Sequence, residues 1–213
     1  MDATLASLEH ARCTAILRTD DEAVARDAMA AAVRGGFRVI EFTLTTPGAY
    51  RLIEEFSKQP GLTVGAGTVL EAGQARAAVE AGARFLVSPV TDPAIIALSL
   101  QLGAVAVPGT STPTEMITAW RAGAQVQKLF PAADKGPEFV KACLGPMPFL
   151  RLLPTSGVTA DNAVAFLQAG AFAVGFVAPL FDPHVLALRD FRGIEQRAEQ
   201  LLRAVERALP AQP

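Results

Sequence analysis

A short pattern recurs five times along the 213-residue chain: a glycine, a small or aromatic residue, and then an apolar run. Each copy follows an alanine-rich segment of helical character. A helix that ends on a left-handed glycine and then turns into a buried strand produces this pattern. The pattern therefore predicts helices that alternate with parallel strands covered on both faces. The five glycines are Gly36, Gly82, Gly103, Gly123 and Gly170.

Eight apolar runs are candidate strands, spaced at about one βα unit each. Near-equal units in a chain of this length predict an α/β fold, a single-domain (β/α)8 TIM barrel over residues 1–213. A doubly wound open sheet has the same local alternation. The barrel is favoured because Gly65-Ala66-Gly67 lacks the third glycine and the downstream acid of the dinucleotide-binding fingerprint. The runs are Cys13–Leu17, Arg38–Thr43, Leu62–Gly65, Arg84–Ser88, Ala104–Pro108, Val126–Phe130, Leu150–Pro154 and Phe172–Phe176.

Capping residues agree with this strand register. Asp20 or Asp21 is placed to begin the helix after the first strand. Thr112-Pro113-Thr114-Glu115 supplies an N-cap, a proline at the first helical position and a capping-box glutamate, and Thr159 supplies another N-cap. Three further features are expected: a helix over Leu5–Arg12 at the barrel floor, a break at Asp182-Pro183, and an amphipathic terminal helix over Phe191–Leu209.

Composition excludes several classes of partner. The formal net charge is −2 with 19% charged residues, so no basic surface for nucleic acid or an anionic membrane is expected. Met1 to Leu8 has no secretory pattern, and the longest apolar stretch, Ala169 to Leu180, is shorter than the roughly 18 residues of a membrane span. Cys13 and Cys143 are interpreted as buried thiols. A cytoplasmic protein is predicted.

Two charged residues stand in strand candidates, where charge is rarely buried without a partner. Lys128 is the only one of the four lysines in such a run, and Glu41 is the only acidic residue in one. Strand alternation gives Lys128 the same face as Val126 and Glu41 the same face as Val39. Because a (β/α)8 barrel does its chemistry at the carboxyl ends of the strands, both residues are candidate catalytic groups.

Structural and chemical explanations of this pair remain open. Lys128 can extend toward solvent from the strand end, or Lys128 and Glu41 can form a buried ion pair, which adds little stability because desolvation offsets the attraction. Alternatively, a desolvated lysine with a lowered pKa attacks a carbonyl and forms a Schiff base. A nearby carboxylate then moves protons to and from the adduct.

Other polar groups at the predicted strand ends favour an anion over a metal. His10 and His184 both lie away from the strand ends, whereas a zinc-type site normally needs several histidines. Metal catalysis through carboxylates stays open, with Glu41 as the one well-placed acid. Arg18 follows the first strand, and together with hydroxyls and glycine turns at the same face it would form an anion site. Taken singly, each of these groups is also explained as a cap, turn or loop residue. The hydroxyls belong to Thr43, Thr45, Thr68, Ser88, Thr155 and Ser156.

Five segments in this order resemble one enzyme family, the 2-keto-3-deoxy-6-phosphogluconate (KDPG) and 4-hydroxy-2-oxoglutarate (KHG) aldolases. The resemblance extends from the first to the eighth strand. It implies a class I aldolase on a (β/α)8 barrel, usually a homotrimer, that needs no cofactor and cleaves a 2-keto-4-hydroxy acid to pyruvate and an aldehyde. The segments are Val39–Thr43, Val64–Val69, Val87–Pro89, Lys128–Pro131 and Pro154–Val158.

The resemblance also implies roles for individual residues. The Schiff-base lysine of the family falls on Lys128, and its proton-transferring glutamate falls on Glu41. The remaining expected contacts hold pyruvate or the distal end of the substrate: Thr68, Pro89 and Phe130 around pyruvate, and the turn of Thr155, Ser156 and Gly157 at the distal end.

Three departures from the family pattern concern the anion sites. Many members have an arginine after the second strand where this chain has Thr45, and Arg18 is placed to substitute for it. The usual Thr-Gly-Gly turn reads Thr155-Ser156-Gly157. The Gly-Ser pair that commonly binds phosphate after the eighth strand reads Val177-Ala178, which removes a hydroxyl donor and a glycine. The resemblance therefore supports pyruvate-forming chemistry more strongly than a phosphorylated substrate.

Two other functions on the same barrel stay open. A phosphosugar isomerase or epimerase uses carboxylates or a metal and lacks the lysine nucleophile. The second open function is a sugar-acid-binding protein that has lost activity, which is kept because Val177-Ala178 alters the expected phosphate site. A covalent pyruvate adduct distinguishes the aldolase from both.

Overall fold

A computed structural model describes residues 2–208, with side chains described from residue 3 to residue 207. Helices and strands alternate along the described chain. The strands are β1 (Cys13–Leu17), β2 (Val39–Thr43), β3 (Thr63–Gly67), β4 (Phe85–Val87), β5 (Val105–Val107), β6 (Gly109–Thr110), β7 (Gln127–Leu129), β8 (Leu152–Pro154) and β9 (Val174–Phe176). The helices are α1 (Asp2–Ala11), α2 (Glu22–Arg34), α3 (Ala49–Ser57), α4 (Ala72–Glu80), α5 (Pro93–Gln101), α6 (Pro113–Arg121), α7 (Gly136–Leu144), α8 (Ala160–Gln168), α9 (Pro183–Ala187) and α10 (Phe191–Ala208).

The strands pair in parallel in two sheets. The larger sheet has the order β5-β4-β3-β2-β1-β9, and the smaller has the order β6-β7-β8. Pro108 alone separates β5 from β6, so one stretch of chain connects an edge of each sheet. A parallel bridge joins Thr155, which follows β8, to Gly175 in β9. The prediction of an α/β fold with parallel strands is confirmed.

Seven of the eight predicted runs contain an observed strand, and the run Leu62–Gly65 overlaps β3, which extends two residues further to Gly67. One observed strand, β6, corresponds to no predicted run, because Gly109 and Thr110 are not part of an apolar stretch. Pro108 lacks an N–H and interrupts the ladder. The chain therefore changes partner at this residue, from β4 on its amino side to β7 on its carboxyl side.

The predicted helix starts are confirmed. Asp21 caps α2, where its carboxylate accepts two backbone N–H groups at 2.8 and 3.0 Å. Thr112 and Glu115 form a capping box at α6, and Thr159 caps α8 in the same way. All five glycines of the repeated pattern have φ angles between 74° and 113°, the region that favours glycine.

The segments at both ends differ in part from expectation. The expected break at Asp182-Pro183 instead begins the short helix α9, because the Asp182 carboxylate caps it and Pro183 suits its first turn. Helix α1 begins at Asp2, earlier than predicted. Helix α10 begins at Phe191 as predicted, whereas Met1 and Leu209 lie outside the described residues.

Side chains of the strands alternate between two apolar cores. The central core contains Val39 and Val126 together with Leu8 of α1, which is fully buried. The peripheral core contains Ile40 and packs against the helices. The helix expected at the barrel floor thus adds to the central core, where burying one leucine contributes about 1.5–3 kcal/mol. Polar residues that follow Val39 and Val126 on the same faces lie above this core, toward the carboxyl ends of the strands.

Both cysteines are free and buried, as predicted. Burial raises the pKa of the Cys13 thiol to about 12 and also raises that of Cys143. Within residues 2–208, no helix has the length and apolar character needed to cross a membrane.

Candidate active site

A cavity of about 300 Å³, here named the inner cavity, opens at the carboxyl ends of the strands. It contains both charged residues that the sequence places inside strands, Lys128 and Glu41. Apolar side chains from several elements form much of its wall. Most of the candidate residues meet here, namely Arg18, Glu41, Thr68, Lys128, Phe130, Thr155, Ser156 and Gly157.

Lys128 enters the inner cavity from the middle of β7. Its side chain is only 8% exposed, so it does not extend to solvent. Its backbone N–H donates to the Pro108 carbonyl at 2.9 Å, and its Nζ lies 5.1 Å from the centre of the Phe130 ring. Burial lowers the pKa of Lys128, and the charge of Arg18 lowers it further, while Glu41 acts in the opposite direction. The amine is therefore more readily neutral, which is the nucleophilic form.

Glu41 enters the same cavity from β2 and is 2% exposed. It pairs in register with Gly65, and the neighbouring Gly67 leaves the space that its carboxylate occupies. A Cβ atom at Gly67 would collide with that carboxylate. Burial raises the pKa of Glu41, and the charges of Lys128 and Arg18 partly offset this. The carboxyl group can therefore hold a proton as well as accept one.

Lys128 and Glu41 act on each other electrostatically without touching. Each changes the pKa of the other, yet no ion pair or hydrogen bond joins these two described side chains. A structural ion pair in the interior needs direct contact to offset desolvation. The geometry therefore disfavours the structural explanation and favours a pair that exchanges protons with a third molecule.

Arg18 brings a positive charge to the mouth of the inner cavity. It follows β1, and its Nη2 donates to the Thr68 hydroxyl at 3.2 Å. Thr68 has a φ of 61°, a strained conformation for a β-branched residue. Strain of this kind persists where the surroundings enforce it, often at functional sites. Arg18 and Thr68 together offer a guanidinium and a hydroxyl to a carboxylate.

The turn after β8 forms a further part of the wall. Ser156 and Gly157 both have left-handed φ angles, of 68° and 94°. The Ala132 N–H donates to the carbonyls of Thr155 and Ser156 at 3.0 Å each, and the Asn162 side chain donates to the Gly157 carbonyl at 2.8 Å. These bonds fix the turn, so the Ser156 side chain lines the cavity in a defined position.

Three candidate residues, Thr45, Ser88 and Pro89, lie outside the inner cavity. Thr45 lines a larger, more open space of about 740 Å³, here named the outer cavity, which shares Arg18 with the inner one. Its hydroxyl lies 3.1 Å from that of Thr43, which does line the inner cavity. Pro89 lines a separate cavity of about 320 Å³ that shares only Phe130 with the inner one.

The sequence did not single out several apolar residues of the wall. Strand alternation in β1 predicts which face Ile16 occupies, but a hydrophobic side chain in the sequence gives no sign of whether it lines a cavity or fills a core. Gly175 has a stronger signal, a glycine in an apolar strand. A Cβ there would lie 2.5 Å from the Thr155 hydroxyl and 2.8 Å from Ile16 Cδ1. Val158 and Pro179 complete this apolar part of the wall.

The histidines lie in helices α1 and α9, away from the inner cavity, as expected. Among the described residues, no three His, Cys, Asp or Glu side chains are grouped so that they could hold a metal ion.

Comparisons with known proteins agree with one another. The family model described as KDPG and KHG aldolase matches residues 5–197. A probable 2-dehydro-3-deoxy-6-phosphogalactonate aldolase of Rhizobium meliloti is 34% identical over 195 residues, which cover 90% of each chain. The 2-dehydro-3-deoxy-6-phosphogalactonate aldolase of Escherichia coli is 32% identical over 191 residues, 87% of this chain and 89% of that one. A crystal structure of the Legionella pneumophila KDPG aldolase, with pyruvate captured as a covalent carbinolamine, is 25% identical and superposes with a TM-score of 0.84, covering 93% of this chain and 97% of that one.

Proposed function

The chain belongs to the KDPG and KHG aldolase family, and on this premise we propose that Lys128 forms a Schiff base with the C2 ketone of a 2-keto-4-hydroxy acid. The protein is a lyase that releases pyruvate and an aldehyde. Of the three functions compatible with the sequence, the aldolase is the one that family membership supports. The observation that carries the residue assignment is the buried pair of Lys128 and Glu41, electrostatically coupled but not in contact.

The first half of the reaction makes the imine. The neutral amine of Lys128 attacks C2, and the proton that it loses passes to the former ketone oxygen, which gives a carbinolamine. Glu41, whose pKa is raised by burial, donates a proton as the hydroxyl leaves as water. The products of this step are a protonated imine on Lys128 and a carboxylate on Glu41. Charges balance because one proton has moved from the acid to the departing water.

The second half breaks the carbon–carbon bond. The Glu41 carboxylate takes the proton of the C4 hydroxyl, the C3–C4 bond breaks, and its electron pair flows into the imine to give a neutral enamine and an aldehyde. Glu41 then returns the proton to C3. Water adds to the resulting imine while Glu41 accepts a proton from it, and collapse of the carbinolamine releases pyruvate and the free amine. No cofactor enters, because the lysine imine is itself the electron sink.

The other candidate residues bind the substrate in this proposal. Arg18 and Thr68 hold the C1 carboxylate beside the imine carbon. Phe130 packs beside Lys128, and Thr155, Ser156 and Gly157 contact the aldehyde half. Thr45 and Pro89 face neighbouring cavities, and we assign them a role at the edges of the site only.

Assembly is part of the same proposal. In this proposal the two sheets join into one closed (β/α)8 barrel. The strands β5 and β6 together count as one barrel strand, and the bridge from Thr155 to Gly175 closes the barrel between β8 and β9. The barrel forms a single domain over residues 1–213 and assembles as a cytoplasmic homotrimer. Light scattering should then give three times the chain mass of 22.3 kDa.

The residue assignment is tested by steady-state kinetics of three variants. Lys128→Ala should abolish pyruvate formation, and Glu41→Gln should lower kcat by about 100-fold or more, the usual contribution of general acid–base catalysis. Lys141→Ala removes an exposed lysine of α7 and is the matched control. Full activity in Lys128→Ala would disprove the Schiff-base assignment, and an unchanged kcat in Glu41→Gln would disprove the role of the carboxylate.

A further inference from the structure

We propose that the aldehyde half of the substrate is uncharged, so that the C1 carboxylate is the only anionic group of the 2-keto-4-hydroxy acid that this protein cleaves. This inference rests on the proposed function, because it concerns the far end of the molecule that Lys128 attacks. It names a substrate class: 4-hydroxy-2-oxo acids without a distal phosphate or a distal carboxylate.

The first argument is the small number of cations in the inner cavity. Among residues 2–208, Arg18 and Lys128 are the only basic residues that line it. Lys128 becomes the imine, so Arg18 alone remains to bind an anion. Its charge acts on both Lys128 and Glu41, and it donates to Thr68. Since the C1 carboxylate is attached to the carbon that Lys128 attacks, that carboxylate is the anion within reach of Arg18.

The second argument is the wall that follows β9. Val177, Ala178 and Pro179 line the inner cavity there, and none of them has a polar side chain. Pro179 has no N–H, and the N–H groups of Leu180 and Phe181 both donate to the Val177 carbonyl, at 3.1 and 2.8 Å. Ala178 therefore has the one backbone N–H of residues 178–181 that stays available to a ligand. A phosphate dianion in a protein needs several donors or a cation.

The third argument is the charge balance of the outer cavity, where a longer substrate would extend. Besides Arg18, the charged groups lining it are Asp20, Asp21 and Arg189. Arg189 is paired with Asp21 at 3.0 Å, and backbone hydrogen bonds at the start of α2 lower the pKa of Asp21, which therefore stays ionised at neutral pH. The negative charges of Asp20 and Asp21 offset the positive charges of Arg18 and Arg189. A distal anion gains no net attraction there, and would compete with Asp21 for Arg189.

The remaining lining of the outer cavity is mostly apolar. Phe181, Leu186 and Ala187 line it together with Val177 and Ala178. Apolar walls offer a charged group no hydrogen-bond partner, so a distal anion that leaves water for such a wall is not compensated. A neutral aldehyde half avoids this cost. Its hydroxyl groups can still be met by Ser156 and Thr155 on the side of the turn.

The test is aldol addition of pyruvate to matched acceptors, which avoids any dependence on the C4 configuration of a chosen substrate. The acceptors are racemic glyceraldehyde, racemic glyceraldehyde 3-phosphate and glyoxylate, whose distal groups are neutral, phosphorylated and carboxylated. We expect kcat/KM for glyceraldehyde to exceed both other values by about 10-fold or more, the equivalent of one hydrogen bond to a charged group. Equal or faster reaction of either charged acceptor would overturn the inference.

A variant pair makes the test specific to the wall. Val177→Gly combined with Ala178→Ser adds a hydroxyl donor and access to the backbone, and should shift the ratio of rates toward glyceraldehyde 3-phosphate by about 10-fold. Ala72→Ser adds a hydroxyl on the exposed start of α4 and should leave the ratio unchanged. An unchanged ratio in the double variant would count against the wall argument.

Pyruvate trapping separates the two proposals. Borohydride reduction in the same preparation reports imine formation without any acceptor aldehyde. If no adduct forms, the proposed function fails. If the adduct forms but glyceraldehyde does not react, or reacts no better than the charged acceptors, the function stands and the inference on the aldehyde half is refuted.

Discussion

The substitution Gly67→Ala should disable the site without changing any group that takes part in the chemistry. Gly67 lies at the end of β3, beside Glu41 on the neighbouring strand. Its φ lies outside the left-handed range, so alanine is compatible with the backbone there. The added methyl group occupies the space of the Glu41 carboxylate.

The displacement can be read from the structure. A Cβ on Gly67 would stand 2.8 Å from the Glu41 carboxyl carbon and closer still to Oε1, whereas ordinary contact begins at 3.4 Å. The carboxyl group must therefore shift by at least the difference of 0.6 Å. Misplacing a catalytic group by about 1 Å costs about 100-fold in rate. We expect kcat for pyruvate formation to fall by about 10- to 100-fold, which corresponds to about 1.4–2.7 kcal/mol of barrier.

The assay compares Gly67→Ala with Gly73→Ala. Gly73 lies on the exposed first turn of α4, and a Cβ there meets no atom within 4 Å. The control should keep full activity and gain up to about 1 kcal/mol of stability, since alanine favours the helix. Both variants are measured for kcat and for thermal unfolding. A folded Gly67→Ala protein with wild-type kcat would refute the positioning of Glu41 by this glycine.

Two further predictions concern the charges of the site. Arg18→Ala should raise the KM for pyruvate by about 10-fold or more, because hydrogen bonds to charged groups contribute about 1.5–3 kcal/mol. The control Arg51→Ala removes an exposed ion pair with Glu22 and should leave this KM unchanged. Equal effects of the two substitutions on KM would contradict a carboxylate site at Arg18. Lys128→Met combined with Glu41→Gln should abolish activity yet stabilise the fold by about 1–4 kcal/mol, because the double variant removes the desolvation cost of two buried ionisable groups. Burial raises the pKa of Glu41 from 4.5 and lowers that of Lys128 from 10.5. In urea unfolding, the part of the stability gain due to Glu41 should therefore vanish as pH falls below 4.5, and the part due to Lys128 as pH rises above 10.5. A double variant that is less stable than wild type at neutral pH would contradict this.

Local patterns are sufficient to predict much of the fold. A strand's alternation is a property of a few consecutive residues, which is why Lys128 and Glu41 were assigned correctly to faces above the central core. Helix caps such as Asp21 depend on residues within one turn. The short strand β6 was missed because its pairing depends on a change of partner at Pro108, a property of the whole sheet rather than of the segment.

The limits of the candidate site have the same cause. Thr45 and Pro89 follow strands whose ends meet at this face, yet they turn into neighbouring cavities, because loop conformation rather than strand alternation sets their direction. Ile16 and Val158 line the inner cavity but look like core residues in the sequence. Polar residues in strands were therefore sufficient to select Lys128 and Glu41 as candidate reacting groups, which the structure places in one cavity, whereas the apolar wall beside them required the structure.

The central claim is tested most directly by mapping a trapped adduct. The protein is incubated with pyruvate, reduced with borohydride, digested, and analysed by mass spectrometry for modified lysines among Lys58, Lys128, Lys135 and Lys141. The proposed mechanism predicts an adduct on Lys128 alone, and none in Lys128→Ala. An intact protein without an adduct, or an adduct that maps to another lysine and persists in Lys128→Ala, would contradict it.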